Sequence, residues 1–131
     1  MSDRNVWDKL GIALSIVCLV HCIAVPLLLA TGTLFALAGD AHGAFHQWIF
    51  WAIVPVAVLA AVPGWRRHGR RGVLVGMAIG AGLISSGAFA EDVLPQNAET
   101  LLTICGGVML VASHFINLRL CRACPVCRRE D

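Results

Sequence analysis

Charge is what this sequence has least of. Asp, Glu, Lys and Arg make up 14% of its 131 residues, against about 25% in an ordinary soluble domain. Apolar residues make up 58%, with a mean hydropathy of +0.77, where soluble domains hold roughly 45–50%. A soluble globular fold is excluded on those grounds, and the length leaves room for one domain only. There is no internal repeat, no low-complexity tract and no nucleotide-binding motif. Any pumping must therefore draw on a gradient or on consumption of the cargo. The Cys-x-x-Cys-His of haem attachment is missing too, and nothing points to nucleic acid as a partner.

The scarce charges are confined to short segments, which leaves residues 10–39, 41–65, 72–90 and 100–118 free of Asp, Glu, Lys and Arg. Each stretch is long enough to cross ~30 Å of hydrocarbon at ~1.5 Å per residue. Without water in the bilayer, each must be helical so that its backbone groups pair internally. The expected fold is all-α: a four-helix transmembrane bundle with spans at about 10–34, 45–64, 72–90 and 100–118 and a tail at 119–131. Short loops make consecutive helices antiparallel neighbours.

Orientation follows from where the basic residues stand. Arg4 and Lys9 precede span one, Arg66, Arg67, Arg70 and Arg71 join spans two and three, and Arg119, Arg122, Arg128 and Arg129 follow span four. The other two loops hold only the acids Asp40, Glu91, Asp92 and Glu99. The basic-loop rule puts both termini in the cytoplasm. Ala36-Leu37-Ala38 resembles a signal-peptidase site. However, the apolar run before it is far longer than ~7–15 residues, and Asp3 and Asp8 cancel Arg4 and Lys9. Span one is therefore expected to stay.

Span three carries Gly76 and Gly80, with Gly82 and Gly87 beyond. Small residues four apart let helices approach closely in lipid, inside the bundle or between copies of a homodimer. Trp7, Trp48 and Trp65 sit near span ends as interfacial anchors.

Against that apolar background, six cysteines stand out. Cys18-Leu19-Val20-His21-Cys22 lies inside span one, Cys105 in span four, and Cys121, Cys124 and Cys127 form a Cys-x-x-Cys-x-x-Cys run in the tail. Positions i and i+4 share a helix face with Cβ atoms ~5–6 Å apart, so Cys18 and Cys22 can bracket one soft ion. His21 falls within the same ~100° arc. Pro26 removes an N–H and frees the carbonyl of Cys22 at membrane depth. Counted at ~1.5 Å per residue, Cys18 lies about 12 Å and Cys22 about 18 Å from the cytoplasmic edge, with Cys105 about 20 Å from it. If spans one and four are adjacent, three thiols and an imidazole can share one layer. His114 and Asn117 read as polar residues at a helix end, and His42, His46 and His68 as solvated loop residues. The i,i+4 spacing of His42 and His46 is a weak signal for metal capture.

In the reducing cytoplasm the tail thiols stay unpaired by disulfides, and the surrounding arginines favour their thiolate form. Three cysteines do not close a four-thiolate zinc or iron–sulfur site. An incomplete thiolate site suits an ion that is passed along. Thiolates select soft metals such as Hg(II), Cu(I) or Cd(II). Two thiolates also neutralise a divalent ion that would otherwise be prohibitively costly in hydrocarbon. Transfer can then proceed by thiolate replacing thiolate, with no free ion and no permanently bound cofactor.

The chain resembles the MerC-type mercuric transport proteins of bacterial mercury resistance. The resemblance is carried by Asp8-Lys9-Leu10-Gly11, by Cys18-Leu19-Val20-His21-Cys22 followed by Pro26, and by the cysteine-bearing basic tail. It implies a non-enzymatic carrier that takes up Hg(II) through Cys18 and Cys22 and releases it at the cytoplasmic cysteines to an acceptor such as mercuric reductase. His21 beside the thiols suits Zn(II) or copper as well. A membrane metal sensor or accessory subunit, and a membrane thiol oxidoreductase built on Cys124-Pro125-Val126-Cys127, are the alternatives. No thioredoxin-like βαβ pattern surrounds the latter.

Overall fold

The computed structural model describes residues 6–30, 39–90 and 93–123, apart from the side chains of residues 25, 26, 29, 30, 39–44 and 46. Four helices account for nearly all of it: α1 (Val6–Ala30), α2 (Gly39–His68), α3 (Arg71–Phe89) and α4 (Gln96–Ala123). No strand occurs among the described residues. All four helices are long and apolar enough to span a membrane. α1 continues past Pro26 to Ala30, and α2 runs through Pro55 and Pro63.

Helix ends follow local chemistry. Gly69 closes α2 in the left-handed region, φ 68°, and its N–H donates to the Trp65 carbonyl at 2.8 Å. That is the conformation in which glycine carries no Cβ penalty. Pro95 starts α4, its carbonyl accepting the Ala98 N–H at 2.8 Å.

α4 is the hub, packed against all three other helices, while α1 and α3 occupy opposite corners. The α3–α4 seam is made by small residues. A Cβ on Gly106 would stand 2.7 Å from the Gly80 carbonyl oxygen, and one on Gly87 would stand 2.9 Å from that of Glu99. Gly76 and Gly80 thus serve packing inside the bundle, against Ser113 and Leu110 of α4, and Gly82 faces open space. Such close approach lets dispersion hold helices together where lipid removes the hydrophobic drive.

The polarity of α1 is inverted relative to a soluble helix. Its outward face carries Val17, Val20 and Ile23, 52–60% exposed, whereas Asp8, Ser15, Cys18 and Cys22 are at most 2% exposed. A helix that turns Val and Ile outward and its polar side chains inward fits hydrocarbon surroundings and a functional interior.

Candidate metal centre

The buried stripe of α1 reads Asp8, Gly11, Ser15, Cys18, Cys22. These positions advance by three and four residues alternately, so they stack along one side of the helix. α4 runs antiparallel to this stripe. Gly11 lies against His114, Leu19 against Gly107, and Cys22 against Thr103.

Cys18 and Cys22 are fully enclosed, with their Sγ atoms 4.0 Å apart. Cys22 Sγ donates to Thr103 Oγ1 at 3.4 Å, and Thr103 Oγ1 in turn donates to the Glu99 carbonyl of its own helix at 3.0 Å. With metal–sulfur bonds of about 2.3 Å, as for zinc thiolates, a 4.0 Å separation gives an S–metal–S angle of roughly 120°. Opening the pair to about 4.6 Å makes the arrangement linear, a change within reach of small side-chain rotations. Among the described residues no three His, Cys, Asp or Glu side chains converge as a metal cage. Within the described residues the candidate centre is a two-sulfur site with a hydroxyl neighbour, Thr103.

Of the other described cysteines, Cys105 stands apart from it. Spans one and four are adjacent, but Cys105 is exposed on the outer side of α4 and does not face the thiol pair. The reason is angular: two residues along a helix turn ~200°, so with Thr103 facing in, Cys105 faces out. His21 stands at the edge of the stripe, its ring stacked on Phe45 of α2 with centroids 3.7 Å apart. Cys121 is half-buried in the last turn of α4. Cys124 and Cys127 lie outside the described residues, as do the side chains of His42 and His46.

A second polar cluster, unexpected from the sequence, lies toward the basic end of the bundle. His114 Nδ1–H donates to Asp8 Oδ1 at 3.1 Å, and Asn117 Nδ2 donates to Asp8 Oδ2 at 3.0 Å and to the Ala60 carbonyl at 3.2 Å. His68 Nδ1 accepts the Arg70 backbone N–H at 3.0 Å, which leaves Nε2–H to donate to Asn117 Oδ1 at 2.9 Å. Each bond fixes the orientation of the next group. Glycines admit the two α4 side chains: a Cβ at Gly11 would collide with the His114 ring, and one at Gly64 with the Asn117 amide.

Three expectations are corrected here. Asp8 is not a terminal charge balancing Lys9 but a buried acceptor. His68 is not a solvated loop residue but is half-buried against Asn117. His114 does more than finish a helix end, because it is enclosed at 1% exposure and reaches across to α1. The signal that exposes the cluster is the three-four spacing linking Asp8 and Gly11 to the cysteines.

The family model described as MerC mercury resistance protein matches residues 8–119, which takes in α2, α3, most of α1 and α4, and both polar clusters. No curated protein and no solved structure matches the chain.

Proposed function

We propose, on the premise that this chain belongs to the MerC mercury resistance family of membrane proteins, that it carries Hg(II) or a similar soft ion across the bilayer by relay between cysteine thiolates. The single observation that carries this reading is the enclosed Cys18–Cys22 pair, 4.0 Å apart on the inward face of a helix whose other face suits lipid. A thiolate pair holding a divalent ion is neutral overall, so the loaded unit tolerates the low dielectric that a bare ion cannot.

In this reading the basic end of the bundle, where α1 begins and α4 ends, is the cytoplasmic end of an inner membrane protein, in keeping with the basic-loop bias. The ion enters from the opposite side, binds Cys18 and Cys22, and is handed to Cys121, Cys124 and Cys127 and on to a cytoplasmic acceptor such as mercuric reductase. Each transfer replaces one metal–sulfur bond by another, with the thiolates exchanging the proton and no change of oxidation state. First capture is assigned to Cys18 and Cys22; His21 stacks on Phe45 beside them and Cys105 is exposed on α4.

The test is metal accumulation in cells expressing the protein, comparing Hg(II) with Zn(II), Cd(II) and copper. Selective Hg(II) accumulation that disappears in the Cys18→Ser/Cys22→Ser double variant is the expected result. Accumulation equal to wild type in that variant overturns the relay.

A further inference from the structure

Among the described residues, Ser15 Oγ is the buried side-chain oxygen left without a hydrogen-bond partner. Its residue is fully enclosed, at 0% exposure. Hydroxyls in the middle of a helix ordinarily turn back onto the carbonyl four residues earlier. Ser86, Thr100 and Thr103 do so here, at 3.0, 2.9 and 3.0 Å. Ser15 does not. The antiparallel register that sets Gly11 against His114 and Cys22 against Thr103 places Ser15 level with Leu110, a fully buried apolar side chain that offers no acceptor. A hydroxyl enclosed in this way costs folding free energy. As a small residue Ser15 also lets α1 approach α4, but alanine does that without enclosing a polar atom.

What lies beside Ser15 is Cys18, one turn along the same buried stripe, with Cβ atoms three residues apart on a helix separated by ~5–6 Å. Cys18 Sγ lies 4.0 Å from Cys22 Sγ, either of which can donate to the other as a thiol. Metal capture changes that. An ion arriving as a bis-thiolate exchanges both ligands: each departing thiolate leaves as a thiol, carrying the proton of Cys18 or Cys22, and two new metal–sulfur bonds replace the two broken. The loaded unit is neutral overall, but its sulfurs have lost their protons and keep partial negative charge as acceptors only, in a region with no Lys or Arg.

We propose that Ser15 is a positioning residue of the metal centre, whose hydroxyl donates to the Cys18 thiolate once the soft ion is bound. The inference rests on the thiol-pair reading above. It assigns the enclosed hydroxyl a partner that exists only in the loaded state, as a preorganised donor aimed at charge that has yet to appear. Thr103, on the other side of the pair at 3.4 Å from Cys22, already spends its hydroxyl hydrogen on the carbonyls of Glu99 and Thr100. Ser15 is therefore the uncommitted hydroxyl donor beside the pair.

The experiment uses the full chain in detergent micelles. Hg(II) is titrated against a competing small dithiol while the mercury–thiolate charge-transfer absorption is recorded, and the thermal midpoint of the metal-free protein is measured separately. Ser15→Ala is expected to leave that midpoint unchanged or raise it, because an unpaired hydroxyl is removed. It is also expected to weaken Hg(II) binding by roughly tenfold or more, the worth of one hydrogen bond to a charged group, and to shift the charge-transfer band. Affinity and band equal to wild type overturn the inference. So does a lowered midpoint in the metal-free variant, which would mean that the hydroxyl serves the empty fold. The Cys18→Ser/Cys22→Ser variant separates the two levels of the argument. If it binds Hg(II) as wild type does, the thiol-pair reading itself fails and takes the role of Ser15 with it.

Discussion

Asp8 and His114, 106 residues apart in sequence, meet at 3.1 Å inside the bundle, and neither is more than 3% exposed. The pair ties the first turn of α1 to the last third of α4, and Asn117 and His68 extend the tie to α2. Three helices are thereby registered at the end of the bundle toward which the thiol stripe runs.

Breaking that tie should be costly. Asp8→Ala leaves His114 and Asn117 without their shared acceptor, and removing one member of a buried pair costs about 3–5 kcal/mol. Asp8→Asn keeps the shape and one acceptor oxygen and should cost less. Thermal unfolding in detergent should rank the proteins wild type, Asp8→Asn, Asp8→Ala. A double-mutant cycle of Asp8→Asn with His114→Gln should show coupling above ~0.5 kcal/mol; additive effects would deny the contact.

Glycine substitutions should sort by what the missing Cβ would meet. Gly11→Ala drives into the His114 ring and Gly106→Ala into the backbone of α3, so each should lose about 1–3 kcal/mol. Gly82→Ala faces open space within helix α3 and should gain up to about 1 kcal/mol from helix propensity. Thermal midpoints of the three variants check the pattern, and a destabilised Gly82→Ala would contradict it.

The spans were legible because lipid leaves a blunt trace: long runs without charge, separated by segments whose basic residues alternate from loop to loop. The thiol pair was legible because i,i+4 spacing alone sets two side chains on one helix face. Asp8 and His68 were not, since a charge near a helix end and a histidine in a basic loop look the same whether solvated or enclosed. Their placement depends on Gly11 and Gly64 admitting His114 and Asn117 from another helix, a contact between segments far apart in sequence. Depth along the helix sets Cys105 level with the thiols, but depth carries no angular information, and Thr103 takes the inward position. Ser15 gives no signal in the sequence, since a lone serine in an apolar span resembles packing filler.

Thiol reactivity should follow exposure. In detergent, a small maleimide should modify Cys105 readily and Cys18 and Cys22 slowly, given their enclosure. Prior addition of Hg(II) should protect the buried pair and leave Cys105 as reactive as before. Mass spectrometry of single-cysteine peptides reads both results, and equal labelling of all three would contradict the packing of α1 on α4.

The proposed orientation predicts that reporters fused to either end of the chain report a cytoplasmic location, and that a reporter placed between α3 and α4 reports the opposite side. Reversal of all three signals would place the thiolate tail outside and reverse the direction of handover.

The most direct test of the relay uses proteoliposomes loaded with a chelating dithiol, in which Hg(II) added outside is counted inside over time. Wild-type protein should speed entry well above protein-free vesicles, and Cys18→Ser/Cys22→Ser should return it to the background rate. If the wild-type protein binds Hg(II) yet entry stays at background, the thiol pair captures the ion without passing it on. That result would contradict the account of this chain as a carrier.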